Sequence, residues 1–195
     1  TRAKALRAQL QALLTEPQRA HQRFMAAVQQ ALPGVIVAGD STQPVYSANL
    51  FYQPEQPRSF FNSSTGYGTL GYALPAALGA KLAQRERPVV ALIGDGGLQF
   101  TIGELATAVE LELSVPILVW NNRGYGEIKK YMAERGIPQI GVDIYTPDFL
   151  TIARGFGCRA ARAESLSHLQ EQLQQAHRSA GPTLIEIDEA AALRW

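Results

Sequence analysis

The sequence lacks the features that mark secreted, membrane-spanning and nucleic-acid-binding proteins. Its 195 residues include one cysteine, Cys158, which excludes an internal disulfide and favours a reducing, cytoplasmic location. No apolar run approaches the roughly 18 residues of a membrane span, so we expect no membrane partner. The formal net charge is +1, and the absence of a basic block argues against nucleic acid as a partner.

The rest of the composition is that of a globular domain. Apolar residues make up 46% of the chain and charged residues 18%, and the chain is long enough to bury a core. Short apolar runs alternate with helical patterns, which predicts an α/β fold: a parallel sheet with helices on both faces. The strand-like runs are residues 35–40, 89–95, 115–120 and 183–188.

The first 32 residues have the composition of two helices. The chain opens on "TRAKALRAQLQALL" without a Met or a signal peptide. We therefore predict that residues 1–16 form a linker helix that follows a missing N-terminal part, and that residues 17–195 form the main domain. The spacing of Thr15 and Gln18 predicts a capping box at the start of the second helix.

Two further segments complete the local prediction. Thr101 with Glu104 has the pattern of a capping box at the start of a later helix. Residues 41–60, by contrast, are predicted to be irregular. His21 lies on an apolar helix face and is predicted to be a core or boundary residue rather than a ligand. The other two histidines are predicted to be solvated: His168 and His177.

Polar residues end two of the predicted strands. Asp95 follows one strand in "IGDGGLQF", and Asn121 and Asn122 follow the next in "VWNNRGYG". Because carboxyl ends of parallel strands meet at one edge of a sheet, where ligands bind, these side chains can converge. Carboxylate and amide oxygens suit Mg²⁺, whereas zinc would require cysteine or histidine nearby.

Glycines surround this predicted site. Gly96 and Gly97 leave backbone N–H groups open to an anion just before a helix, so a metal-bridged diphosphate would satisfy both halves of the site. The alternative is that "GDGG" is only a turn. Three more glycines indicate close approach of the backbone to a ligand or to a partner helix: Gly66, Gly68 and Gly71.

These motifs resemble those of a known family. "GDGG", 23 further residues and then "NN" are similar to the thiamine diphosphate signature, and "GYGTLGYALPAALGAKLA" resembles the same family's pyrimidine-side turn and helix. The resemblance covers about residues 20 to 190 and is to the C-terminal, diphosphate-binding domain of thiamine diphosphate-dependent, acetolactate synthase-like 2-oxoacid decarboxylases. Within the family it is greatest to the branch that decarboxylates 5-guanidino-2-oxopentanoate in arginine catabolism.

The resemblance implies a role for each residue of the site. Asp95, the Asn122 side chain and the Gly124 carbonyl would bind Mg²⁺, and the amides of Gly96 and Gly97 would bind the diphosphate. The remaining cofactor-binding residues are expected on the other side of the site. Thr42 and Gln43 would contact diphosphate oxygens, the Gly68 carbonyl would accept from the cofactor's 4′-amino group, and Leu70 would be the apolar wedge that bends the cofactor.

One residue of some family members is missing here. The resemblance places the cofactor-activating glutamate in a separate pyrimidine-binding domain, so no catalytic residue is expected in this fragment and the fragment alone is expected to be inactive. Some decarboxylases of the family carry a catalytic glutamate six residues after the ligating Asn, where this chain has Ile128. Glu127 precedes it and either faces the substrate or is a surface charge beside Lys129 and Lys130.

The expected whole protein is a homodimer or homotetramer in which the pyrimidine-binding domain comes from another subunit. The glycine-lined face around 64–72 and the aromatic loop at 46–61 are candidate interfaces. Two other functions stay open: an acetolactate synthase-type carboligase, and a non-catalytic Mg-diphosphate binding module. A small 2-oxoacid with a guanidinium group would need a carboxylate in the pocket, for which the candidates are Asp143, Asp148 and Glu127.

Overall fold

The computed structural model describes residues 2–195, apart from the side chains of residues 3 and 4. Six strands form one sheet in the order β2-β1-β3-β4-β6-β5, and every pair of neighbours is parallel. The strands are β1 (Ile36–Gly39), β2 (Phe60–Asn62), β3 (Val89–Gly94), β4 (Pro116–Asn121), β5 (Arg159–Arg162) and β6 (Thr183–Asp188). The α/β prediction with a parallel sheet is confirmed.

Helices cover both faces of this sheet. They are α1 (Arg2–Leu13), α2 (Glu16–Ala31), α3 (Gln43–Phe51), α4 (Ala73–Ala83), α5 (Asp95–Thr101), α6 (Glu104–Glu110), α7 (Gly126–Glu134), α8 (Phe149–Gly155), α9 (Leu166–Arg178) and α10 (Glu189–Ala192). One core cluster contains residues of α4, α5, α6 and α8, and the other contains residues of α2, α3, α9 and α10. Within residues 2–195, no helix combines the length and the apolar character needed to cross a bilayer.

The central strands are apolar on both faces. In β3, Ala91 and Ile93 belong to one core cluster, while Val90 and Leu92 belong to the other. This alternation explains why the strand reads as a continuous apolar run, since parallel strands in the middle of a sheet bury both faces.

Local signals were correct at one predicted capping box and wrong at the other. Thr15 and Gln18 form the reciprocal capping box of α2. The box predicted for Thr101 and Glu104 is wrong, because α5 begins directly at Asp95 and Thr101 is its last residue. The Thr101 hydroxyl instead donates to the carbonyl of Gly71 at 3.0 Å.

The predicted irregular segment also differs from the structure. Residues 41–60 contain α3, a nine-residue helix whose Val45 and Ala48 are buried against the sheet. His21 is in the core, as predicted, with 3% of its surface exposed. His168 and His177 are half-buried rather than solvated. Burial lowers the pKa of His177, with further lowering from two neighbouring cations.

The strand order places a ligand crevice beside β1. The chain moves from β1 to β2 on one side and from β3 to β4 on the other, so the direction of winding reverses between β1 and β3. In open α/β sheets, ligands bind at the carboxyl ends of the strands at such a reversal. Asp40 and Asp95 immediately follow these two strands.

Candidate cofactor site

A cavity of about 390 Å³ lies at the carboxyl ends of β1, β3 and β4. All of the residues that the sequence assigns to cofactor or metal line it: Thr42, Gln43, Gly68, Leu70, Asp95, Gly96, Gly97, Asn122 and Gly124. These residues come from four separate stretches of the chain, so the convergence is a property of the fold. Their individual roles stay predictions.

Asp95 is the buried acid of the cavity. It begins α5, only 1% of its surface is exposed, and its Oδ2 accepts a hydrogen bond from the Gly124 N–H at 3.0 Å. Burial raises the pKa of the Asp95 carboxyl, and backbone N–H groups partly oppose that rise. A buried carboxylate without a cationic partner is costly, so a bound cation would stabilise this position.

The Asn122 side-chain amide meets this carboxylate. One end of the amide lies 2.8 Å from the carbonyl oxygen of Gly124 and 3.2 Å from Asp95 Oδ1. Without a cation the NH₂ group is favoured at that end, because it donates to both oxygens, whereas a cation bound among the three groups would require the amide oxygen there. Neighbouring ligands of an octahedral Mg²⁺ stand about 3 Å apart, because each lies about 2.1 Å from the metal. The oxygens therefore fit a small, hard cation.

The donor set argues for such a cation over a softer metal. Among the described residues, no group of three or more His, Cys, Asp or Glu side chains is placed to hold a metal ion. The site instead offers one carboxylate, one amide oxygen and one carbonyl oxygen. That set suits Mg²⁺, which takes only a few protein ligands and completes its shell with phosphate oxygens and water.

The glycines of "GDGG" have a packing role as well as a possible binding role. A Cβ on Gly96 would lie 2.6 Å from the Tyr125 ring, and a Cβ on Gly97 would lie 3.1 Å from Asp40 Oδ1. The segment is the first turn of α5 rather than a separate turn, and first-turn amides have no acceptor within their own helix. The site can therefore present backbone N–H groups at the cavity.

The glycines of the turn before α4 also differ in whether packing requires them. Gly71 has φ +85°, and a Cβ there would lie 2.9 Å from Thr101 Cγ2, so the partner-helix alternative holds at this position. Gly68 has φ +68° and is not crowded, since the nearest atom to its Cβ position would be Ser41 Oγ at 3.5 Å. Half-buried Leu70 lies between them on the cavity wall.

The other side of the cavity is formed by the start of α3. Thr42 is buried at the N-cap position, although its side chain makes no capping hydrogen bond. The Gln43 amide donates to Glu127 Oε2 at 2.6 Å. Glu127 and Ile128 both line the cavity, so the position where some decarboxylases have their second glutamate is apolar here.

Two of the proposed acidic residues lie elsewhere. Asp143 pairs with Lys129 at 2.6 Å, and Asp148 caps α8 by accepting the Thr151 N–H at 3.0 Å. Neither contributes to the cavity wall. Glu127 alone of the three candidate carboxylates lies in the site.

The sequence interpretation missed one important residue, Asp40. It is fully buried, its Oδ1 accepts the Ser41 N–H at 2.8 Å, and its Oδ2 accepts the Ala73 N–H at 3.1 Å. Burial raises the pKa of its carboxyl, opposed by these and neighbouring backbone N–H groups. Its position at the end of "VIVAGD" was a usable signal, because it repeats the strand-end pattern of Asp95.

Comparisons with known proteins identify the family of the chain. The family model described as "Thiamine pyrophosphate enzyme, C-terminal TPP binding domain" matches residues 40–187. The chain belongs to this family of thiamine diphosphate enzymes and is the cofactor-binding domain that the model describes. Its relatives include proteins described as acetolactate synthases, as a 2-ketoarginine decarboxylase and as a benzoylformate decarboxylase.

One such relative is a probable 2-ketoarginine decarboxylase of Pseudomonas aeruginosa, 39% identical over 98% of this chain and 34% of its own length. Another is a probable acetolactate synthase large subunit of Methanococcus aeolicus, 32% identical over 91% of this chain and 31% of its own. The structure of a 4-hydroxybenzoylformate decarboxylase of Rhodococcus jostii superposes with a TM-score of 0.77, at 29% identity, over 87% of this chain and 32% of that one. The chain spans about a third of the length of these proteins.

Proposed function

We propose that this chain supplies the magnesium–diphosphate half of the cofactor site of a 2-oxoacid decarboxylase. The observation that carries the proposal is the convergence of three groups around the buried Asp95 carboxylate, in which the Asn122 side-chain amide lies 2.8 Å from the Gly124 carbonyl oxygen and 3.2 Å from Asp95 Oδ1. A cation placed among them would neutralise the buried Asp95 carboxylate and leave open coordination positions for phosphate oxygens.

The other predicted residues have complementary parts in this proposal. Gly96 and Gly97 offer their amides to the diphosphate from the first turn of α5. Thr42 and Gln43 bound the same end of the cavity from α3. When bound, thiamine diphosphate supplies the electron sink for the loss of CO₂ from a 2-oxoacid. This chain's residues hold and orient the cofactor rather than transfer protons.

The pyrimidine end of the cofactor would lie against the glycine-rich turn. In our proposal the Gly68 carbonyl would accept a hydrogen bond from the 4′-amino group, and Leu70 would hold the two rings in a bent conformation. Support comes from their common position on the cavity wall and from the half-burial of Leu70, an aliphatic side chain among glycines. The activating glutamate would come from a pyrimidine-binding domain of another subunit.

The same proposal requires an oligomer, at least a homodimer, when the protein is complete. The chain spans only about a third of its relatives' length, which leaves room in such proteins for the pyrimidine-binding domain. Large apolar side chains are exposed on and beside the glycine-rich turn: Tyr67, which lines the cavity, Tyr72, and Phe100, whose Cβ lies 3.0 Å from a Cβ built on Gly71. We propose that this surface receives that domain.

The single cysteine, Cys158, is buried and supports a reducing, cytoplasmic location.

We propose 5-guanidino-2-oxopentanoate as the substrate, which would yield 4-guanidinobutanal and CO₂. The similarity to a probable 2-ketoarginine decarboxylase supports this choice. Carboligation of two 2-oxoacids is the second candidate, because Ile128 replaces the second glutamate of some decarboxylases at the cavity wall. Product analysis on the complete enzyme separates the two, since decarboxylation gives an aldehyde and carboligation gives a hydroxy-oxoacid.

Calorimetric titration of this chain with thiamine diphosphate tests the cofactor site. We expect binding heat with Mg²⁺ and its loss when EDTA removes the metal. ATP, which shares the phosphate chemistry but not the rings, serves as the matched ligand and is expected to bind more weakly. Binding that is unchanged by EDTA would contradict the metal site. So would an absence of binding even after the pyrimidine-binding domain has been added.

A further inference from the structure

Asp40 connects two segments that lie on different sides of the cofactor cavity. It follows β1, none of its surface is exposed, and it does not line the cavity itself. Its carboxylate nevertheless contacts both the glycine-rich turn before α4 and the first turn of α5. The proposed binding of the cofactor gives this residue no part, so its contacts need a separate explanation.

On one side the carboxylate caps α4. Asp40 Oδ2 accepts the Ala73 N–H at 3.1 Å, and the N–H groups of Gly71 and Tyr72 also donate to the carboxylate. The first amides of a helix have no acceptor within the helix. Tyr72, at the N-cap position, makes no side-chain capping hydrogen bond, so a residue of another element supplies the acceptor. Asp40 therefore fixes the end of the turn that contains Leu70.

On the other side the carboxylate packs against "GDGG". A Cβ on Gly97 would lie 3.1 Å from Asp40 Oδ1 and 3.3 Å from its Cγ, so the carboxylate leaves no room for a side chain there. Oδ1 also accepts the Ser41 N–H at 2.8 Å, at the start of the segment that carries Thr42 and Gln43. One buried carboxylate thus contacts both segments that would bind the diphosphate and the turn that would bind the pyrimidine.

A second contact connects the turn to α5. Thr101, the last residue of α5, donates from its hydroxyl to the Gly71 carbonyl at 3.0 Å. A Cβ on Gly71 would lie 2.9 Å from Thr101 Cγ2, so the turn and the end of α5 are closely packed. Gly71 gives its N–H to Asp40 and its carbonyl to Thr101. The turn is therefore held both from β1 and from α5.

We propose that Asp40 and Thr101 are positioning residues that set the distance between the pyrimidine end and the diphosphate end of the cofactor site. Leu70 lies in the turn that they hold, and Gly96 lies in the helix against which they hold it. A cofactor bound at both ends requires the correct separation, and a misplacement of about 1 Å can cost about 100-fold in rate. The inference rests on the proposed cofactor site and adds residues that act on it without touching the cofactor.

The test compares two ligands of the complete enzyme by calorimetry in the presence of Mg²⁺: thiamine diphosphate and inorganic pyrophosphate. Pyrophosphate occupies only the diphosphate end, whereas thiamine diphosphate must reach both ends. Asparagine has one acceptor oxygen and cannot serve both sides of Asp40, so Asp40→Asn loosens the turn while the metal ligands stay in place. We expect affinity for thiamine diphosphate to fall about 10-fold, with pyrophosphate bound as in wild type.

Two further variants make the comparison specific. Thr101→Val keeps the shape of the side chain and removes one neutral hydrogen bond, so it loses less stability than Asp40→Asn and should reduce the affinity for thiamine diphosphate alone by about threefold. Leu173→Ala is the matched control for lost stability. It empties a fully buried position on α9 at a cost of about 2–5 kcal/mol, and it should leave the ratio of the two affinities unchanged.

Two outcomes would overturn the inference. One is an unchanged ratio of the two affinities in either variant, Asp40→Asn or Thr101→Val, measured where it is folded. The other is an equal loss for both ligands, which would mean a general distortion of the diphosphate end. A wild-type enzyme that binds neither ligand with Mg²⁺ would instead contradict the proposed function, and the inference would fall with it.

Discussion

Asp40 and Asp95 end neighbouring strands and have nearly the same environment, with 0% and 1% of their surfaces exposed. Burial raises the pKa of both carboxyls. Their partners differ. Both oxygens of Asp40 accept backbone N–H groups from the surrounding loops. Asp95 accepts the Gly124 N–H at one oxygen, whereas its other oxygen faces the side-chain amide of Asn122 at 3.2 Å.

The adjacent asparagines at the end of β4 repeat this contrast. Asn121 donates to Glu186 at 2.7 Å and accepts the Arg123 N–H at 3.0 Å, so its amide is used by the protein. The Asn122 amide instead faces the Gly124 carbonyl oxygen and Asp95 Oδ1. Residue type and position at a strand end are therefore shared by scaffold and site. The residues differ in their partners: Asn121 contacts other scaffold groups, whereas Asn122 contacts the other two proposed metal ligands.

The largest expected effect is that of Asp95→Asn on cofactor binding. Because a metal ligand matters more than the outer partners whose loss costs about 10- to 100-fold, we expect Mg²⁺-dependent affinity for thiamine diphosphate to fall more than about 100-fold. The free energy of unfolding should stay the same or rise, since a buried charge is removed. Calorimetry and urea unfolding measure the two quantities. Wild-type affinity for thiamine diphosphate in this variant would contradict the distinction between the two aspartates.

The same substitution at Asp40 should have the opposite profile. In Asp40→Asn an NH₂ group would face a backbone N–H that the carboxylate now accepts, and we expect a loss of about 2–3 kcal/mol in the free energy of unfolding. Urea unfolding measures this loss, and calorimetry at a temperature where the variant is folded should find retained Mg²⁺-dependent binding. Retained stability with lost metal dependence would assign the metal to Asp40 instead.

A smaller effect is expected from the asparagines. Asn122→Ala removes one proposed ligand while two remain, so we expect cofactor affinity to fall about 10-fold to 100-fold. Asn121→Ala removes a hydrogen bond to Glu186, which keeps its bonds to Arg162, and should cost about 1–2 kcal/mol of stability with little change in affinity. Equal affinity losses in the two variants would contradict the distinction between them.

The smallest effect concerns pH. The pKa of His21 is about 4 when folded and about 6.5 in the unfolded chain, so the unfolded state binds its proton first as the pH falls. His21 should therefore reduce stability between pH 6.5 and 4, by up to about 1.4 kcal/mol per pH unit. The raised pKa values of Asp40 and Asp95 act in the opposite direction. Unfolding of wild type and His21→Gln across this range isolates the histidine, and parallel curves would refute its shift.

Much of the site could be predicted because it depends on strand ends and glycines. Asp95, Asn122 and the glycine-rich turn are recognisable from the apolar runs that precede them, and parallel topology then brings them together. The distinction between Asp40 and Asp95 could not be predicted. It depends on which N–H groups approach each carboxylate, and the Ala73 N–H that bonds Asp40 lies 33 residues away along the chain.

The incorrect parts of the fold prediction have identifiable causes. "QPVYSANLF" has several residues that favour strands or turns, so α3 depends on burial of Val45 and Ala48 rather than on local propensity. Gly96 and Gly97 disfavour a helix, yet α5 begins before them because both pack closely against neighbouring side chains. The edge strand β5 carries arginine at both ends, so it does not form an apolar run that would mark it as a strand in the sequence.

Diffraction from crystals of this chain grown with thiamine diphosphate and Mn²⁺, measured at a wavelength where manganese scatters anomalously, tests the central claim most directly. Mn²⁺ accepts the same oxygen ligands as Mg²⁺. We predict one strong anomalous peak, from an Mn²⁺ ion coordinated by Asp95 Oδ1, Asn122 Oδ1 and the Gly124 carbonyl oxygen. The cofactor's phosphate oxygens should complete the coordination shell of the metal. The absence of that peak, together with an Asn122 amide turned to donate to Gly124, would contradict the account.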